Sequence, residues 1–248
     1  DAQCGNGTVS GAANVTVNAI PGNPATSGND TWIGYVYDDQ SSPAPPVSNI
    51  NFSIGKFRGF VNESDISVLG FSSYNTATDA FDLNLSNIIP IQGPNVCGSY
   101  INDYSIRFRM TKTFIAGVYT FSIGGDDGVQ LFIDGAPVTL NPANSFTTHV
   151  YTVFTSDVQC ISAGSHDLVI EYFERGATSR VSFDYQAAPA PSVSTPVTTC
   201  INSAIPTLTA SSADPGVTGY NWYTDAALTN LVASTQNYTP LASDLDMT

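Results

Sequence analysis

An all-β fold is what the sequence predicts: an antiparallel sandwich or barrel, followed by a small second β module. Three observations predict it. Apolar and polar residues alternate at period two in one run after another. Turn signals built on Gly and Asp punctuate those runs. No segment carries the 3.6-residue apolar stripe of an amphipathic helix.

The runs follow in order. "YSIRFRM" (104–110) sets Tyr104, Ile106, Phe108 and Met110 on one face and Ser105, Arg107 and Arg109 on the other. "VYTFSIG" (118–124) aligns Tyr119, Phe121 and Ile123, and "VQLFIDG" (129–135) aligns Val129, Leu131 and Ile133. "DLVIEYF" (167–173) gives Leu168, Ile170 and Tyr172, and "RVSFDY" (180–185) gives Val181, Phe183 and Tyr185. Ala116-Gly117, Asp134-Gly135 and Ala163-Gly164 mark the turns, and Asp134-Gly135 reads as a two-residue type I′ hairpin. Arg107 and Arg109 are expected to pair across the sheet with carboxylates such as Glu171 or Asp184. Trp32 and Trp222 read as core anchors. "QAAPAPSVSTP" (186–196) has no periodicity and reads as a semi-stiff linker. The division is therefore 1–188 for the first domain and 189–248 for linker and second module, with module strands starting near Ser192. That module, around "GYNWYTD" and "NYTP", is too short for a whole immunoglobulin-like sandwich of about 100 residues and is expected to be partial.

Composition narrows the function. Hydrophobic residues are 42% and charged residues 11%, with 21 acidic against 7 basic and a net charge of -14. Such a field attracts cations and repels phosphate backbones and anionic membranes, which argues against nucleic acid as a partner. No apolar run reaches the roughly 18 residues of a spanning helix, so no membrane insertion is expected. The opening "DAQCGNG" reads as a mature or cloned start, and a surface rich in Thr and Asn points to a secreted or cell-surface protein. Cys4, Cys97, Cys160 and Cys200 form no CxxC pair, so a zinc cluster is not indicated. Four cysteines allow three disulfide connectivities, and Cys4 with Cys97 is preferred because it would tie the N-terminal segment to the first domain. His149 and His166 sit in no nucleophile elbow or HExxH pattern and read as surface or strand residues. Catalysis has no positive support, and the chain is read as not an enzyme.

One stretch does not reduce to a turn. "GGDDGVQLFIDG" (124–135) sets Asp126 and Asp127 side by side just before a strand, where their charges repel. A solvated Asp-Asp-Gly turn is the plain reading. The order "YSIRFRMTKTFIAGVYTFSIGGDDGVQLFIDG", an insert, and then "ISAGSHDLVIEYFERGATSRVSFDY" resembles the protective-antigen-type (PA-fourteen) β domain, most densely over 104–185. "TWIGYVYDD" and "FRGFVNES" look like the edge of that domain. The tail "CINSAIPTLTAS…NWYTDAALTNLVAST" is similar to immunoglobulin-like repeats of large secreted bacterial surface proteins.

The lectin and adhesin branch of that family joins two adjacent aspartates by a cis peptide, binds Ca2+ with them, and lets the calcium bind a sugar. The resemblance carries that role onto Asp126 and Asp127. A hard cation takes six to eight oxygens, and paired carboxylates supply several while the ion cancels their repulsion. The family's further ligands come from a loop matching 174–179, with an Asn that this loop lacks. Glu174 and the carbonyls of Arg175 and Ala177 are the expected substitutes, with Thr178 and Ser179 on the glycan side. The implied function is a calcium-dependent carbohydrate-binding module of an adhesin, taking glycans with vicinal hydroxyls on a cell or surface. Two other readings stand beside it: a structural or partner-binding domain without metal, and an accessory module of a glycosidase. The segments "APVTLNPANSFTTH" and "GPNVCGSY" are candidate walls of the sugar site.

Overall fold

Period-two runs become strands because each can bury one face between two sheets. The computed structural model describes residues 19–39, 51–62, 71–75, 78–85, 90–188, 192–193, 204–213, 217, 219–225 and 228–244. The strands of the first part are β1 (Gly28–Asn29), β2 (Ile33–Asp38), β3 (Phe57–Asn62), β4 (Phe71–Asn75), β5 (Ala80–Asn84), β6 (Tyr104–Phe114) and β7 (Gly117–Asp126). They continue as β8 (Val129–Ile133), β9 (Ala136–Pro137), β10 (Leu140–Asn141), β11 (Thr152–Ser156), β12 (Gln159–Ile161), β13 (Gly164–Glu174) and β14 (Arg180–Ala187). One sheet has the order β3-β2-β6-β13-β8-β9 with β1 beside β6; the other has β10-β11-β7-β14-β5-β4 with β12 beside β7. The chain is thus all-β, and its described pairings are antiparallel except for β1 with β6.

The alternation places the core as the sequence predicts. Tyr104, Ile106, Phe108, Met110, Leu168, Ile170, Tyr172, Phe121 and Ile123 are all buried. Trp32 lies at the centre, edge-on to Phe183 (5.1 Å between centroids) and Phe81 (5.8 Å), with its indole N–H donated to the Asp79 carbonyl at 2.9 Å. Such aromatic pairs add to the burial of their area. Asp134 and Gly135 join β8 to β9 with φ of 50° and 79°, the two positive values that a type I′ hairpin needs. "TWIGYVYDD" supplies β2 and "FRGFVNES" the edge strand β3.

One expected ion pair is corrected. Arg107 does pair with Glu171 directly opposite on β13. Arg109 instead faces Asp167 at 3.5 Å, because Asp184 lies on β14 in the other sheet. The outer face of the first sheet is also covered, unlike a simple half-solvated sheet. Tyr35, Tyr37, Phe52 and Phe57 form a cluster there, with Phe146 packed against it. The Arg107 guanidinium stands 4.5 Å from the centre of the Phe52 ring.

The contacts of the chain divide into two compact units: Asp1–Phe114, Thr120–Gln159 and Gly164–Gln186 in one, and Ile115–Tyr119, Cys160–Ala163 and Ala187–Thr248 in the other. The second holds β15 (Ser192–Val193), β16 (Leu208–Ser211) and β19 (Asn237–Tyr238) as one small sheet, and β17 (Trp222–Tyr223) with β18 (Leu231–Ala233) as a hairpin. Trp222 is half-buried there, 5.5 Å from Tyr238. Cys97 is disulfide-bonded and Cys160 is a free, exposed thiol, while Cys4 and Cys200 lie outside the described residues.

Candidate functional site

Two crossings between the sheets build the site. β7 belongs to the second sheet and ends at Asp126, while β8 belongs to the first and starts at Val129. β13 ends at Glu174 in the first sheet, and β14 starts at Arg180 in the second. Tyr172 is registered opposite Val129, and the Phe173 N–H donates to the Gly128 carbonyl at 3.0 Å. That ladder sets segment 126–128 against segment 174–179. Gly128 is required by space: a Cβ there would stand 2.0 Å from Phe173 Cε1 and 2.9 Å from the Thr147 nitrogen.

The loops then hold the two aspartates from both sides. The Asp126-Asp127 peptide is cis. Thr178 Oγ1 donates to Asp126 Oδ2 at 2.5 Å, and the Arg175 N–H donates to Asp127 Oδ2 at 2.7 Å. The Gly176 N–H donates to Glu174 Oε1 at 2.5 Å. Beneath them lies a buried chain of hydroxyls. Tyr172 donates to the Asp126 carbonyl at 2.6 Å and lies 3.0 Å from Ser179 Oγ, which is 2.5 Å from the Tyr104 hydroxyl.

Of the residues predicted from sequence, Asp126, Asp127, Glu174, Arg175 and Thr178 are brought into this one cluster. Ala177 is exposed in the loop with φ 74°, a left-handed conformation unusual for a residue with a Cβ. Ser179 is buried, and its hydroxyl supports the cluster from below. The Arg175 side chain turns away, to the Asp39 carbonyl at 3.2 Å and Asp103 at 3.7 Å. Phe146 and His149, from the insert expected as a wall, also shape the site, as do Tyr104 and Tyr172, which sequence reading did not assign to it. Phe146 packs edge-on to Phe173 at 5.2 Å, and the Ser145 carbonyl accepts the Val129 N–H at 2.8 Å. The insert "APVTLNPANSFTTH" is thereby seated on the Asp-Asp-Gly segment.

The electrostatics are set by three buried carboxylates. Asp126, Asp127 and Glu174 are all buried, and the ion pairs found among the described residues engage other carboxylates. Burial pushes Asp127 above the usual aspartate range, and the Asp126 charge adds to it, while the Arg175 and His149 N–H groups pull it down. Glu174 is pushed up to about 8, first by burial and then by the Asp127 charge. No three His, Cys, Asp or Glu side chains among the described residues stand ready as a metal cluster. Asp126 is held by the Thr178 hydroxyl, and Asp127 by the Arg175 and His149 N–H groups. Hard oxygens with a deficit of positive charge are a donor set that fits a calcium-type cation.

Residues 84–195 match the family model described as PA14 domain, and residues 189–247 match the one described as Ig-like domain CHU_C associated. Among solved structures, the chain is similar to an anti-sigma factor domain-containing protein from Clostridium clariflavum, at 12% identity and TM-score 0.42, covering 69% of this chain and 47% of that one. It is similar to the PA14 domain of the MpAFP antifreeze protein, at 16% identity and TM-score 0.42, covering 69% of this chain and 89% of that one. It is also similar to the epithelial adhesin 6 A domain from Candida glabrata, solved with Galβ1-3GlcNAc, at 10% identity and TM-score 0.39, covering 66% of this chain and 82% of that one. The chain spans under half the length of the anti-sigma factor domain-containing proteins it matches, 43% and 47%. No curated protein matches it.

Proposed function

The chain carries a PA14 domain followed by an Ig-like domain of the CHU_C-associated kind, and from that premise we propose that it is a calcium-dependent carbohydrate-binding module of a secreted or cell-surface adhesin. One observation carries the reading: Asp126, Asp127 and Glu174 are all buried at two neighbouring crossings, close enough for the aspartate charges to raise Glu174. Buried charges of one sign are retained where a counter-charge joins them. Asp126, Asp127 and Glu174 would hold the ion by their carboxylates, with the carbonyls of Arg175 and Ala177 completing the oxygens. When bound, calcium supplies positions at which two neighbouring sugar hydroxyls can replace water.

The chain's own residues do the rest. Thr178 and the Arg175 N–H fix the orientation of the two aspartates, so their rotamers are set before a ligand arrives. Tyr172, Ser179 and Tyr104 hold the floor. A contact of a few hydroxyls buries little area, so a single site binds weakly and adhesion comes from many copies.

The test is a glycan array with calcium and with chelator, run beside thermal melts of wild type, Asp127→Asn and Asp134→Asn. A set of glycan signals should need calcium and disappear with chelator and with Asp127→Asn alike. Asp134, which accepts the Asp167 N–H on a hairpin, should be dispensable for them. A wild-type melt indifferent to calcium sinks the metal site and leaves "GGDDG" a buried turn held by its own hydrogen bonds.

A further inference from the structure

A cavity of about 330 Å³ opens on the outer face of the second sheet, and none of its lining residues belongs to segments 126–127 or 174–179. Its size reaches the lower range of small-molecule sites, about 300–1,000 Å³. Its floor follows from strand register. Val153 on β11 is opposite Gly124 on β7, and Ser182 on β14 is opposite Asp82 on β5. A Cβ on Gly124 would stand 2.5 Å from Ser182 Oγ and 2.7 Å from the Tyr151 hydroxyl, so the glycine lets these two groups meet across the sheet.

One wall of the cavity is already rigid. The Arg180 guanidinium lies 3.8 Å from the centre of the Tyr151 ring and makes two bonds to Asp82, at 2.9 and 2.6 Å. The Tyr151 hydroxyl is 2.8 Å from Ser182 Oγ. Arg180, Asp82, Tyr151 and Ser182 thus lock one another on a surface that the core does not need. Side chains fixed before binding lose little entropy on binding. Ser122 and the exposed Asp184 add a hydroxyl and a carboxylate, and the half-exposed Val153 adds an apolar patch.

The geometry points to a second, metal-independent site for an uncharged saccharide. Carboxylate and hydroxyl groups bond sugar hydroxyls, and the Val153 patch takes a C–H face of the ring. Asp82 is neutralised by Arg180, so Asp184 leaves the cavity anionic. A chain of net charge -14 adds to the exclusion of acidic glycans. The site uses neither Asp126 nor Asp127, so it stands or falls apart from the calcium reading.

The experiment uses the full chain with Asp127→Asn, in chelator, on an array of neutral and sialylated or sulfated oligosaccharides. Weak binding to neutral glycans should remain. Asp184→Ala, an exposed position, and Ser122→Leu, which fills the floor, should each weaken that binding about tenfold. Melting temperatures of both variants check that each is folded. Absence of any neutral-glycan binding in chelator, survival of that binding in both variants, or a preference for acidic glycans each overturns the second site.

Discussion

At Glu174 burial and the Asp127 charge act in the same direction, and the consequence is a pH dependence whose sign is fixed. Its carboxyl is raised from an ordinary 4.5 to about 8 in the folded chain. Between those values the metal-free fold holds a proton that the unfolded chain has released, so the stability this carboxyl contributes is fully present below pH 4.5 and is lost as pH rises to 8. Denaturant midpoints measured in chelator across that window should fall with pH. Glu174→Gln should flatten the slope, and saturating calcium, which favours the carboxylate, should oppose it. A midpoint that rises through the same window refutes this account of Glu174.

The elements explain what the sequence showed and what it hid. β6, β7 and β13 were readable because one face of each alternates apolar residues at period two, and all of those residues are buried. Val169 and Phe173 on the opposite face of β13 are buried as well. Periodicity hid that, since Phe173 is covered by Phe146 from an insert without a pattern. Glu171 was legible as the partner of Arg107 because cross-strand pairing is local to one sheet, and Asp184 misled because sheet membership is not local. The bond between Tyr104 and Ser179 joins residues 75 apart, which no spacing rule reaches. The Asp-Asp pair was legible through family resemblance, and its loop partners only by position. Packing also yields a prediction at Gly128: alanine there meets Phe173 Cε1 at 2.0 Å. Gly128→Ala should lower stability by about 1–3 kcal/mol or more. Thermal or urea unfolding with chelator present reads that loss apart from any effect on calcium. An unchanged midpoint would show that β8 and β13 shift apart without cost.

For the molecule as a whole, the proposed calcium site would add to the stability of the folded state by mass action. Calcium at 100 times its dissociation constant should stabilise the first unit by ~2.7 kcal/mol, and calorimetry with and without chelator measures it. The two crossings have a last consequence. Asp126 closes a strand of one sheet and Glu174 closes a strand of the other, with 126 and 174 far apart along the chain. Neither sheet alone contains the proposed binding centre. A molecule whose strands have formed but whose sheets have not docked has only separate carboxylates in water. On that proposal, ligand capacity would count correctly assembled molecules, and in a preparation of mixed quality the active fraction would be a direct census of native docking.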